Sequence, residues 1–335
     1  MECGKLNVGI MGCARITSNV IIEPSKELGG LSLYGVASRS RAKAQEYADE
    51  FGIAKVFDSY EALLSDPAID FVYIALPNHV HGKWIEEAVK AGKHVFVEKP
   101  LCLKSGEIPS IKKALTENRV ELLEGLMIQH HPWQDFVKQL VHGRKYGGLK
   151  RVSTKLCIVP KYDYKESYRS IPEMGGGAFY DLSCYWLQFL QHIIGLETCE
   201  NFLGKSGFSG PNGCDWTFDA ALRYRGGIEA EFLCSFEMPY KACHVLEFEN
   251  ATVRIKDFFR CILGCYKLTV EIEETDSKSI EKVVFDAQSY YISQLKYFVD
   301  VLLGNKKGIN DDLLRQSFER VRLMEEIMAS AKQGE

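Results

Sequence analysis

Over its first 125 or so residues the chain alternates short apolar, β-branched runs with helix-spaced segments, and that alternation leaves few folds open to it. The runs are 6–12 (LNVGIMG), 31–38 (LSLYGVAS), 69–76 (IDFVYIAL), 94–100 (HVFVEKP) and 120–127 (VELLEGLM), most of them broken by Gly, Pro or Asn. Between them, Ala42–Phe51, Asp58–Leu64, His81–Lys93 and 107–118 carry apolar residues at helical spacing. Strands that are apolar at nearly every position must be covered on both faces. Helices between successive strands supply that cover, so the pattern predicts a doubly wound parallel sheet of Rossmann type.

The pattern changes after about residue 125. Segments near 150–160, 217–224, 228–237, 243–249, 251–256 and 266–273 read as strands, with turns such as Tyr224-Arg225-Gly226-Gly227 between them. A long apolar helix, 178–195, interrupts them, and helices return at 289–303 and 311–331. We expect an α+β domain with an open, mainly antiparallel sheet. The division is a dinucleotide-binding Rossmann domain at 1–124 and a substrate-binding and oligomerisation domain at 125–335, with helices 289–331 packing back. A length of 335 residues fits two domains.

Charge and cysteine usage narrow the partners. With 41 basic and 45 acidic side chains the chain carries a net charge of −4, which disfavours nucleic acid or an anionic membrane as partner. No apolar run approaches the ~18 residues of a membrane span, and the N-terminus runs into a strand without a leader pattern. The 11 cysteines are odd in number and scattered, as expected of reduced thiols in a cytoplasmic protein. A small-molecule substrate is the expected partner.

The turn after the first run reads Gly12-Cys13-Ala14-Arg15-Ile16, a thinned dinucleotide turn with Ala14 and Thr17 where glycines often stand. Small residues there let backbone N–H groups approach a pyrophosphate. The second run ends in Ser38-Arg39-Ser40-Arg41 with no carboxylate before Glu46. An acidic residue at that position would hold a ribose 2′-hydroxyl, whereas arginines and hydroxyls suit a 2′-phosphate, so NADP(H) is favoured over NAD(H). The fourth run ends Val97-Glu98-Lys99-Pro100. A lysine there either points to water or, beside a nicotinamide, exchanges a proton with a substrate oxygen.

Several motifs occur together and in order: Gly12-Cys13-Ala14-Arg15-Ile16, Leu76-Pro77-Asn78-His79-Val80-His81, Ala91-Gly92-Lys93-His94-Val95, Glu98-Lys99-Pro100, Glu124 to Met127 with His131-Pro132, Arg169, Gly175 to Ala178, and Asp181 to Tyr185. The set resembles the glucose–fructose oxidoreductase, inositol dehydrogenase and rhizopine catabolism (Gfo/Idh/MocA) family over nearly the whole chain. Tyr185, where many relatives have histidine, resembles the branch with dihydrodiol and pentose dehydrogenases and keto-sugar reductases. The resemblance implies Lys99 as catalytic acid/base or its electrostatic helper, with Pro100 after a cis peptide. It also implies a homo-oligomer, dimer or tetramer, formed through the second-domain sheet.

We expect Lys99, Tyr185 and Asp181 to be catalytic. Gly12, Cys13, Ala14, Arg15, Ile16, Ser38, Arg39, Ser40, Leu76, Pro77, Asn78, His81, Glu98 and Lys99 are expected to bind cofactor. Arg169, His131 and Tyr164 are candidates for substrate contact. Asp181 and Tyr185 lie four apart and share one helix face. No metal is expected, because His79 and His81 lack a further ligand cluster. The aromatic run Phe179, Trp186 and Phe189 is read as helix core. The expected reaction is hydride transfer between nicotinamide and a sugar carbonyl or hydroxyl. A non-sugar substrate of dihydrodiol, imine or bile-pigment type, or a non-catalytic NADP(H) sensor, stays open.

Overall fold

The computed structural model describes residues 5–159, 167–309 and 312–333. Its contacts divide the chain into two compact units, one of Met1–Leu126 with Tyr291–Val321, the other of Met127–Tyr290 with Arg322–Glu335.

The first unit is built on strands β1 (Leu6–Met11), β2 (Leu31–Ala37), β3 (Lys55–Phe57), β4 (Phe71–Ile74), β5 (His94–Glu98) and β6 (Leu122–Gly125). They pair in the order β3-β2-β1-β4-β5-β6, and every pairing is parallel. This is the order of a dinucleotide-binding Rossmann sheet, with its switch point between β1 and β4. Alternate residues explain the two-sided cover. Val72, Ile74, Val95 and Val97 join Trp84, Ile85 and Val89 of α4 (His81–Lys90) and Ile108 and Ile111 of α5 (Ile108–Asn118). Phe71 and Phe96, of opposite parity, meet Phe298 of α8 (Tyr290–Leu302), with ring centroids 5.3 and 5.4 Å apart.

Serines set the starts of two short helices in this unit. Ser40 accepts from Lys43 N at the head of α2 (Arg41–Phe51), and Ser59 from Ala62 N at the head of α3 (Tyr60–Leu64). Between β1 and α1 (Glu23–Leu28), residues Ser18–Ile22 form a π-helical turn. The expected division fell at residue 124, with helices 289–331 packing back. In the structure Tyr291–Val321 groups with the first unit, because Phe298 completes that core and Ile309 N donates to Glu121 Oε2 at 2.8 Å.

The second unit carries an eight-stranded sheet in the order β14-β13-β12-β11-β7-β10-β9-β8. Its strands are β7 (Leu149–Cys157), β8 (Cys199–Lys205), β9 (Thr217–Tyr224), β10 (Glu229–Ser235), β11 (Lys241–Phe248), β12 (Ala251–Lys256), β13 (Leu268–Glu274) and β14 (Ile280–Phe285). Only β7 with β10 is parallel. One face of the sheet packs on α7 (Ala178–Ile193): Phe179 stacks on Phe218 at 4.3 Å, Trp186 on Phe232 at 4.9 Å and Phe189 on His244 at 4.0 Å. Those aromatics are helix core, as the sequence had them. Helix α6 (Pro132–Gly143) precedes the sheet, and α9 (Leu313–Gln333) passes from the first unit to the second at Val321. No helix among the described residues is long and apolar enough to cross a membrane, and none of the described cysteines forms a disulfide.

Candidate active site

In the first unit the expected residues gather at the carboxyl ends of the parallel strands, where ligands of such sheets bind. Gly12 follows β1 with φ +98°, and its N–H donates to Ala37 O at 2.9 Å. A Cβ at Gly12 would lie 2.7 Å from Ala75 O, so any side chain here would push apart the β1 and β4 ends. Glycine is what lets the two strand ends approach this closely. Ala14, Arg15 and Ile16 continue the turn, closed by Thr17 N donating to Ala14 O at 3.1 Å. Cys13 is half-buried; burial raises its thiol pKa and the Ser38 hydroxyl opposes the shift.

At the end of β2 the basic cluster divides. Ser40 caps α2, and Arg41 pairs with Asp58 across exposed surface. Arg39 forms no ion pair among the described residues. Its charge acts on Tyr60, whose phenol pKa is raised by burial and lowered in part by this guanidinium. Only Arg39 of the two arginines is therefore uncommitted to a neighbouring carboxylate.

The β4 and β5 ends are tied together by His81. This buried ring has Nδ1 2.8 Å from Pro100 O and Nε2 2.8 Å from Leu76 O, so it links the Leu76-Pro77-Asn78 turn to the bend after Lys99. Burial lowers the His81 pKa, while the two carbonyls and Glu124 oppose the shift. The Lys99–Pro100 peptide bond is cis. Glu98 Oε1 accepts from the Tyr73 hydroxyl at 2.6 Å, and burial with the Glu98 charge raises Tyr73 and Tyr291. The Lys99 ammonium works against that rise at Tyr291. Beyond the bend, Leu101 N donates to Glu124 Oε1 at 2.9 Å, and Glu124 Oε2 accepts from Arg320 Nη2 at 2.6 Å. The side chains of that pair are 3% and 2% exposed. Lys99 thus sits at a bend held by the buried His81–Pro100 and Leu101–Glu124 hydrogen bonds.

In the second unit Asp181 and Tyr185 share one face of α7, 8% and 4% exposed. Asp181 meets Arg169 in a two-point fork, Nε to Oδ2 and Nη2 to Oδ1, both at 3.1 Å. Arg169 also lies 4.8 Å over the Tyr168 ring, and the Tyr185 ring meets Phe259 edge-on at 5.0 Å. The two residues expected in separate roles, Arg169 toward substrate and Asp181 in catalysis, thus form one charged unit. His131 is accounted for locally: it caps α6 by accepting from Trp133 N at 3.3 Å, and burial holds its pKa down to about 4. Tyr164 lies outside the described residues.

The sequence pointed to no role for Tyr73, Tyr291, Arg320 or Asp215, and carried Glu124 only within the Glu124 to Met127 motif. The signal for Glu124 was there, a lone carboxylate inside an apolar strand, which must find a buried partner. For Asp215 the signal was indirect: the glycine opening α7 has no side chain to cap it. Among the described residues no three His, Cys, Asp or Glu side chains are disposed to hold a metal ion.

A 3-2-1-4-5-6 parallel sheet with a glycine crevice and a lysine at its carboxyl edge, followed by an open antiparallel sheet, defines a two-domain nicotinamide-dependent oxidoreductase. The chain belongs to the Gfo/Idh/MocA oxidoreductase family. Residues 6–126 match its NAD-binding Rossmann domain and 135–255 its C-terminal domain. It is 31% identical to D-xylose 1-dehydrogenase (NADP(+)) 2 of Haloferax volcanii over 69% of this chain and 70% of that one. It is 27% identical over 93% of its length, and 92% of the relative's, to dTDP-3,4-didehydro-2,6-dideoxy-alpha-D-glucose 3-reductase of Actinomadura kijaniata. The fold matches the crystal structure of KijD10, a 3-ketoreductase from Actinomadura kijaniata in complex with NADP and TDP-benzene. There the TM-score is 0.87 and the identity 23%, over 98% of both chains.

Proposed function

We propose that this chain is an NADP(H)-dependent oxidoreductase that moves a hydride between nicotinamide and a carbonyl or hydroxyl of a sugar or keto-sugar. The observation that carries the reading is Lys99, set at the carboxyl edge of a Rossmann sheet on a bend braced by Glu98, His81 and Glu124. The relatives named above, a xylose dehydrogenase and a keto-sugar reductase, support the substrate class. The residues present fit a dinucleotide: Gly12, with φ +98°, turns the chain at the carboxyl end of β1, and Arg39 at the end of β2 is the expected reader of a 2′-phosphate. The turn 12–16, Ser38, Arg39, Ser40 and Leu76 to Asn78 hold it. When bound, the cofactor supplies the hydride.

The protein's part is orientation and the proton. Lys99 and Tyr185 act on the reacting oxygen, one passing it the proton and the other polarising it, and the donor is recharged from water. The Arg169–Asp181 fork accepts and donates to neighbouring hydroxyls, and so fixes which carbon faces the cofactor. Reduction and oxidation use the same groups in opposite order. The reading includes a cytosolic location and a dimer or tetramer formed through the second-unit sheet. The face of that sheet away from α7 presents ion pairs such as Arg151–Glu229 and Arg254–Glu273, at 2.9 and 2.7 Å.

Turnover on a panel of sugars and keto-sugars tests the assignment. Lys99→Ala and Tyr185→Phe should each lower kcat by about 10²–10⁴, the usual worth of a general acid, with NADPH affinity kept. Near wild-type turnover in both variants overturns it.

A further inference from the structure

Helix α7 carries both Asp181 and Tyr185, so whatever fixes its first turn fixes the substrate-facing groups. That turn begins at Gly177, with φ +102° and no side chain to satisfy the N–H groups of a helix start. Asp215, 36 residues beyond Phe179, meets the need from outside the helix. Its Oδ2 accepts from Phe179 N at 2.7 Å, and its own carbonyl accepts from Ala178 N at 2.7 Å. Asp215 is 2% exposed, and a Cβ on Gly177 would lie 2.0 Å from its Oδ1. The glycine is what lets the carboxylate sit against the backbone.

The other side of the turn is held by Arg169. Its carbonyl accepts from Gly177 N at 2.8 Å, and it lies 2.6 Å from where a Cβ on Gly176 would be. The Arg169 guanidinium then reaches Asp181, in the first turn of the same helix. The contacts form a closed circuit: Asp215 to the α7 start, the α7 start to the Arg169 backbone, the Arg169 side chain to Asp181, and Asp181 back to α7. Movement of any member strains the others.

We propose that Asp215 is a positioning residue: by capping α7 from outside the helix it sets the turn on which Arg169 and Asp181 meet, and so the orientation of the substrate hydroxyls before Tyr185. The inference rests on the sugar oxidoreductase reading and deepens it. Two features support it. The acceptor stands at the start of a 16-residue helix, whose first N–H groups have no partner within the helix. It is also kept there against its own burial, which pushes the Asp215 carboxyl up to about 7 despite the backbone N–H groups.

Three variants of the full chain test it, Asp215→Ala, Asp215→Asn and Gly177→Ala. Each is read by kcat, by KM for the sugar, by NADPH affinity and by hydrogen exchange of the Phe179 amide. Asp215→Ala should lower kcat/KM on the order of 10²-fold, mostly through KM, with NADPH affinity unchanged and Phe179 exchanging faster. Asp215→Asn, which still accepts through its amide oxygen, should recover most of the loss. Gly177→Ala should reproduce the defect with Asp215 intact. Wild-type kinetics and Phe179 exchange in Asp215→Ala overturn the proposal, as does an Asn variant as impaired as the Ala variant. If Asp215→Ala does not fold, a fully active Gly177→Ala or an inactive, folded Asp215→Asn overturns it. Full turnover in Lys99→Ala and Tyr185→Phe sinks the reading of the reaction instead, and Phe179 exchange then decides on Asp215 alone.

Discussion

At the scale of single residues, the proposed reading rests cofactor choice on Arg39. Of the Ser38–Arg41 cluster, Ser40 is committed to the α2 cap and Arg41 to Asp58. The contiguous cluster was legible in the sequence, but the diversion of Arg41 was not, because Asp58 lies 17 positions away in a different element. A charge-assisted bond is worth about 1.5–3 kcal/mol, so Arg39→Glu should weaken NADPH binding by roughly 10- to 100-fold. NADH has no 2′-phosphate and should be affected far less. Fluorescence titration of both dinucleotides checks this, and equal weakening of the two would dismiss Arg39 as the phosphate reader.

Elements show which part of the chain could be read in advance. Strands β1, β2, β4, β5 and β6 were visible because parallel strands covered on both faces must be apolar at almost every position. Three strands and a helix escaped. Lys55–Phe57 is only three residues long. Edge strands β8 and β14 expose most of their side chains, so burial imposes no alternation on them. Helix α6 follows the crossover motif, and its Trp133 and Val137 were not read as one helix face. What no local pattern can show is the tie between β6 and α9, where Glu124 and Arg320 meet 196 positions apart. Removing one partner of a buried pair leaves an uncompensated charge, so Arg320→Met should destabilise the first unit by about 3–5 kcal/mol in urea unfolding. The same variant should slow turnover, since Glu124 also holds Leu101 N beside Lys99 and Pro100. A loss below about 1 kcal/mol, that of an exposed pair, would mean the charges are hydrated.

Across the whole molecule, three buried groups of the second unit set opposing pH dependences. Burial brings His131 to about 4 and His244 to about 3, both below the ordinary 6.5. The unfolded chain therefore takes up two protons that the folded unit refuses, and stability present above pH 6.5 is lost as the pH falls toward 4. Asp215 acts the other way. Its carboxyl, raised from 3.8 to about 7, keeps a proton in the folded state, so its contribution is present below 3.8 and lost as pH rises through 7. Two protons against one leaves a net uptake of about one on unfolding between pH 6.5 and 4, a slope near 1.4 kcal/mol per pH unit. Other titrating groups add equally to every variant, so differences between variants isolate these three. Asp215→Asn removes the opposing proton and should steepen the slope by about one proton, about 1.4 kcal/mol per pH unit. Thr154→Val with His244→Phe should flatten it by about one proton. This pair removes both members of the 2.8 Å Thr154–His244 bond and leaves an apolar ring between Phe189 and Phe258. Trp133, Trp186 and Trp216 lie in the second unit and Trp84 in the first, so tryptophan fluorescence during urea unfolding at pH 5 and 6, read in a Trp84→Phe background, reports the relevant transition. An Asp215→Asn slope equal to wild type would mean that the Asp215 carboxyl is already ionised at pH 5, and that α7 is capped by a full negative charge.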